Sequence, residues 1–235
     1  MSSSDMLVSS LADPSMQWFH PPTNDGHFRM DGEKMILVPP AQKDYWRRTY
    51  YEPLLIKDDG PFLYKELDYP FANQPVDPIS HYYTVETAFD LVATAQFDQA
   101  GIMIRLGKSH WIKTGIEVVD GVPRLSCVVT NNDYSDWSTQ AYASKGSDNA
   151  SAATNDPSPV LVENVQLRVH CRGQTFAVEA MLDNEWQFIR IAHVDVCTNK
   201  VFLGVFACCP TAQTGGTATF KSLSIKRGSV FDHHA

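Results

Sequence analysis

Along most of the chain, apolar and polar positions alternate with a period of two instead of recurring at helical spacing. Short runs at 16–20, 27–30, 35–38 and 62–67 predict strands, divided by Pro21-Pro22, Asn24-Asp25-Gly26 and the turn signal Asp31-Gly32. Four longer strands follow at 81–92, 99–106, 110–119 and 124–131, joined by turns such as Asp120-Gly121. They read as an antiparallel meander that 136–143 extends. Five more runs at 164–172, 175–182, 186–193, 201–208 and 217–226 have the spacing of a sandwich or barrel. With no crossover helix between them, the runs predict one all-β domain of two packed antiparallel sheets. Only 4–11 offers a helix signal, where Ser4 could cap one or two turns before Asp13-Pro14.

This pattern divides the chain into an N-terminal extension at 1–15 with a short helix, a single sandwich domain at 16–228, and a polar tail at 229–235. Within the domain, 144–159 (SKGSDNASAATNDPSP) is too polar to bury a core and is expected to be a mobile loop. Splitting the chain there would leave five strands without a partner sheet.

Alternation also sorts residues by face. Tyr83, Val85, Thr87, Phe89 and Leu91 turn inward, as do Ala100, Ile102, Ile104 and Leu106, and Ile112, Thr114, Ile116 and Val118. If these strands are neighbours, their other faces merge into one patch of Glu86, Gln99, Met103, Arg105, Trp111, Lys113, Glu117, Ser126 and Thr130. An indole beside charged and amide groups suits a sugar, whose ring has an apolar face to stack and hydroxyls to hydrogen-bond. Gly101 and Gly115 are expected to leave room for a ligand to approach that patch. Trp46, Arg47 and Tyr64 are expected at the rim, and Trp18, Trp137 and Trp186 in packing.

Charge narrows the partners. Nineteen basic against 27 acidic residues leave a net charge of −8, which disfavours nucleic acid. No stretch is long and apolar enough for a membrane helix, and the N-terminus lacks a basic start, so the expected location is the cytoplasm. Five cysteines without a Cys-x-x-Cys pair fit that compartment as small buried hydrophobes, and adjacent Cys208 and Cys209 would point to opposite faces.

Several motifs look familiar. Asp44-Tyr45-Trp46-Arg47-Arg48-Thr49-Tyr50, Asp59-Gly60-Pro61-Phe62-Leu63-Tyr64, the 97–105 run FDQAGIMIR, the 111–117 run WIKTGIE and Ser135-Asp136-Trp137-Ser138 resemble one family. It is the concanavalin A-like jelly-roll family that includes the fungal regulation-of-enolase protein, and the likeness runs from about Trp18 to Ile225. The resemblance implies a lectin- and glucanase-type jelly-roll sandwich with the polar patch on its concave sheet. It implies less about activity, because one fold hosts lectins, glycosidases and interaction domains alike.

A retaining glycosidase would need two carboxylates about 5 to 5.5 Å apart. The E-x-D-x-E string of laminarinase-like enzymes is absent, which leaves Glu86 and Glu117 meeting across strands as the only catalytic candidates. Arg105 and Lys113 are expected to neutralise that pair into a network that orients a ligand, since adjacent cations lower carboxylate pKa values. The 101–109 run GIMIRLGKS mimics a phosphate loop but has the wrong glycine spacing and no following helix. No metal-binding or hydrolase motif stands out, no cofactor is expected, and Asn149-Ala150-Ser151 is a sequon expected to stay bare. The leading expectation is a non-catalytic cytosolic domain that binds a carbohydrate or similar polyhydroxylated molecule. The alternatives are a protein-interaction module regulating a metabolic enzyme, and a glycan hydrolase using Glu86 and Glu117.

Overall fold

The computed structural model describes residues 5–22, 26–69, 81–142, 158–196, 198–211 and 215–231. Most of the expected 144–159 loop, its sequon, Cys197 and the last four residues of the tail lie outside them. Two antiparallel sheets pack face to face over one large core. The first runs in the order β15 (Glu185–His193), β14 (Thr175–Leu182), β13 (Val160–Arg172), β8 (Tyr83–Ala93), β17 (Thr217–Arg227), β4 (Lys34–Leu37) and β3 (Phe28–Asp31), with β1 (Met6–Val8) also paired to β17. The second runs β12 (Tyr134–Ala141), β11 (Val122–Asn131), β10 (His110–Val119), β9 (Gln99–Gly107), β16 (Lys200–Cys208), β7 (Phe62–Asp68) and β2 (Gln17–Phe19). A two-stranded piece, β5 (Tyr45–Arg47) and β6 (Ile56–Asp58), stands apart from both. The chain is an all-β, two-sheet jelly-roll sandwich.

Local turn chemistry sets the hairpins. Asp120-Gly121, Asn132-Asp133 and Asp183-Asn184 each hold two successive residues at positive φ between directly paired strand ends. That is the backbone of a type I′ turn, which Asn, Asp and Gly adopt most readily and whose twist matches the flanking strands. The inward faces follow the alternation: Val85, Phe89, Ile102, Ile104, Ile112 and Ile116 all lie in the main core with Leu203, Val205 and Phe220.

Three expectations change. β8 does not continue the β9–β12 meander; it crosses to the first sheet and pairs with β13 and β17. The N-terminal segment is strand rather than helix, because Val8 and Leu11 reach the core while β17 supplies the backbone partners of β1. Gly101 and Gly115 make room for each other, not for a ligand. They are register partners on β9 and β10, and a Cβ on either would collide with a carbonyl oxygen of the adjoining strand, Thr114 or Ala100.

Rigid backbone on both sides leaves Gly115→Ala no cheap relaxation. We expect it to lower unfolding free energy by about 1–3 kcal/mol, the usual cost of overpacking, as measured by urea denaturation.

Candidate functional site

Most of the outer face of the second sheet is closed to solvent. The 41–61 segment, which contains β5 and β6, folds over it as a strap. Tyr45, Trp46, Phe62, Met103, Trp111, Val128, Phe206 and Cys208 make a second hydrophobic core beneath. Charges fix the strap in place. Asp44 accepts from Lys113 Nζ at 2.7 Å, and Asp58 forms a two-pronged pair with Arg105, with Arg47 Nη2 3.9 Å away. Ser135 Oγ receives the Arg47 backbone N–H at 2.9 Å, and Tyr45 O–H donates to the Gly60 carbonyl at 2.5 Å. Such charge-assisted bonds to buried cations are the strong kind.

One end of the strap leaves a gap. Trp46, Tyr51, Phe97 and Trp137 wall a narrow cavity of about 140 Å³, with Asp44, Lys113 and Glu117 also lining it. The same four aromatic residues also line a wider cleft of about 770 Å³, where Tyr50, Gln96, Tyr134 and Asp136 join them. The rings meet edge to face, Trp46 with Tyr51 at 5.7 Å, Trp46 with Trp137 at 6.4 Å and Phe97 with Trp137 at 6.1 Å. Phe97 holds φ at +67°, a left-handed conformation uncommon for a bulky residue and found more often at sites than in frameworks. Gln99 braces it, its Nε2 donating to the Phe97 carbonyl at 3.1 Å and to Asp44 Oδ1 and Glu117 Oε1 at 3.4 Å each.

Glu117 is the chemically distinctive group. Ser126 Oγ donates to its Oε2 at 2.5 Å and in turn accepts from Trp137 Nε1 at 2.9 Å. Burial pushes its carboxyl up to about 7, outweighing the lowering effects of Lys113 and of the Ser126 hydrogen bond. Burial presses the Lys113 ammonium down, but Asp44, Cys208 and Glu117 together leave it above its ordinary value. The cavity thus offers, near neutral pH, a carboxyl that both donates and accepts, a fixed cation and four aromatic faces.

The expected patch is therefore divided. Trp46, Lys113 and Glu117 line the cavity, and Gln99 and Ser126 stand directly behind it. Trp111 and Met103 are fully buried in the second core, Trp111 against Tyr45 at 5.9 Å. Thr130 shares a 2.7 Å hydrogen bond with Ser135. Arg47 and Arg105 hold the strap, and Tyr64 packs on Phe62 and Phe202. Glu86 lies on the outer face of the first sheet, opposite Arg168 and Ser224, so it cannot meet Glu117. The cations pair with strap aspartates instead of the glutamates, and burial raises the Glu117 pKa although Lys113 lowers it. Asp44, Tyr51, Phe97 and Trp137 escaped the face-by-face reading because strap and turn carry three of them. Trp137 was legible: in register with Val128, it follows Ser135 on one face of β12.

The family described as "Protein of unknown function (DUF1349)" matches residues 18–228. The chain is 30% identical over 194 residues to "Regulation of enolase protein 1" of Saccharomyces cerevisiae, covering 82% of this chain and 81% of the relative. A crystal structure of a functionally unknown protein from Saccharomyces cerevisiae superposes with a TM-score of 0.73 at 26% identity, covering 94% of this chain and 99% of that one. The GH43 BlXynB protein from Bacillus licheniformis shares the fold alone, with a TM-score of 0.66 at 10% identity over 97% of this chain and 40% of that one.

Because the folded Glu117 pKa of about 7 lies above its ordinary 4.5, the folded state holds this proton more tightly than the unfolded chain. Its contribution to stability is complete below pH 4.5, declines as pH rises toward 7 and is lost above, a change on the order of 3 kcal/mol. Glu117→Gln should therefore melt above the wild type at pH 8, and the gap should close by pH 5 in thermal denaturation series.

Proposed function

The chain belongs to the DUF1349 family, and on that premise we propose that it is a non-catalytic binding domain for a carbohydrate or similar polyhydroxylated small molecule, held in the aromatic cleft beside the strap. The observation that carries this reading is the convergence of Trp46, Tyr51, Phe97 and Trp137 on a cavity that also presents Asp44, Lys113 and Glu117. A pyranose face stacks on an indole, and its hydroxyls exchange hydrogen bonds with a protonated carboxyl, an ammonium and a carboxylate. The inner cavity and the outer cleft share their aromatic walls, which suits a ring seated inside and a longer molecule trailing outward. Hydrolysis fits less well. Glu86 is on the other sheet, and Asp44, the other carboxylate on the cavity, is engaged by Lys113.

The second reading rests on the yeast relative named for regulation of enolase. In that reading the domain engages a metabolic enzyme through the mouth of the same cleft, where Tyr50 and Tyr134 are exposed. The two readings are compatible if ligand occupancy alters that mouth. A cytoplasmic setting accords with both.

A thermal-shift screen against neutral mono- and oligosaccharides tests the first reading. A ligand at one hundred times its dissociation constant should stabilise the wild type by about 2.7 kcal/mol. Trp137→Ala and Trp46→Ala should each abolish that gain. A panel without any shift, or a shift that survives in both variants, would move the weight to the partner reading, which a pull-down with purified enolase then checks.

A further inference from the structure

The first sheet carries a second hollow, on the molecule's opposite face, that the cleft does not explain. Alternation along β8, β13 and β17 turns Thr84, Glu86, Arg168, His170, Arg172, Ser224 and Lys226 outward. The register sets His170, Thr84 and Lys226 in one cross-strand row beside the row of Arg168, Glu86 and Ser224. Flanked by Asp5, Met6 and residues 228–230, this face becomes a groove of about 810 Å³. That size suits a small-molecule ligand.

Its charge runs against the rest of the chain. Arg168, Arg172, Lys226 and Arg227 line it, against Asp5 and Glu86, in a protein with eight more acidic than basic side chains. Arg172 on β13 and Lys226 on β17 flank β8, so the two cations face one groove from either side of its central strand. Glu179 does not answer them all. It bonds Arg168 and sits 2.9 Å from His170 Nε2, but among the described residues no carboxylate lies within ion-pair reach of Arg172 or Lys226.

The cations are also held in position. The Arg168 guanidinium lies over Trp186 at 4.2 Å and that of Arg172 over Tyr82 at 5.0 Å, with Arg172 Nη1 donating to the Phe231 carbonyl at 3.2 Å. Stacked guanidinium planes keep N–H edges available for the paired oxygens of an oxyanion. Between them, the hydroxyls of Thr84 and Ser229 converge on His170 Nδ1 at 3.2 and 3.1 Å.

We propose that this groove is a second binding site, for a small phosphate-bearing molecule, recognised by Arg172, Lys226 and the neighbouring arginines. A multiply charged tetrahedral anion uses several cations at once, which a single carboxylate would not. Asp5, Met6 and residues 228–230 border the groove, and its volume of about 810 Å³ matches a small molecule.

Isothermal titration with sodium pyrophosphate at low ionic strength is the test. The wild type should bind saturably, and added salt should weaken binding. Arg172→Ala with Lys226→Ala should cost at least about ten-fold in affinity, the loss of one charge-assisted contact. Arg29→Ala with Lys34→Ala removes equal charge from the far strands of the same sheet and should change affinity less than about two-fold by the same conversion. No saturable binding by the wild type overturns the proposal, as does an equal loss in both double variants. If circular dichroism shows that the groove variant does not fold, Lys226→Glu alone should abolish binding, and retained affinity there overturns it equally.

Discussion

Everything on the second sheet depends on Lys113. Its ammonium is buried on the outer face of a central strand, where an unpaired charge would be prohibitive, and its direct carboxylate partner, Asp44, belongs to the strap. Removing one member of such a pair strands the other and typically costs about 3–5 kcal/mol. The strap therefore has one permitted position. From that position follow the second core, the closure of most of the sheet face, and the gap where aromatic rings meet the cavity. Among the described residues no cation makes a salt bridge with Glu117, and desolvation outweighs the pull of Lys113 on its titration.

Fold and site were not equally legible in the sequence. Strand positions, turn chemistry and inward faces follow from local rules, because alternation is a property of a few consecutive residues and type I′ turns need only two. Sheet membership is different. The face of Glu86 was readable from β8 alone, but which sheet β8 joins depends on pairing with β13 and β17, some eighty and one hundred and forty residues away in sequence. The fate of Arg105 and Lys113 was hidden for the same reason. A cation on a strand announces that it needs an acid, and nothing local says that Asp58 and Asp44 arrive from a separate segment.

The glycines teach a related lesson. Gly101 and Gly115 suggested space, and the structure fills that space with backbone. A missing side chain marks close approach, but only the pairing shows what approaches. Where two glycines face each other across strands, the neighbouring strand comes before any ligand as the explanation.

Cys208 and Cys209 occupy consecutive positions with different surroundings, as their alternation requires. Cys208 sits in the second core beneath the strap, while the backbone of Cys209 bridges to Ala41 and Lys43 at the strap's root. Burial holds the Cys208 thiol well above its ordinary pKa, so it is chemically silent while the strap is down. The second core is distinct from the main one, so the contacts that bury Cys208 are those between the strap and the sheet face beneath it. Cys208 is thus a built-in reporter for the cover: a thiol reagent that reacts with it in the folded protein has found the strap raised.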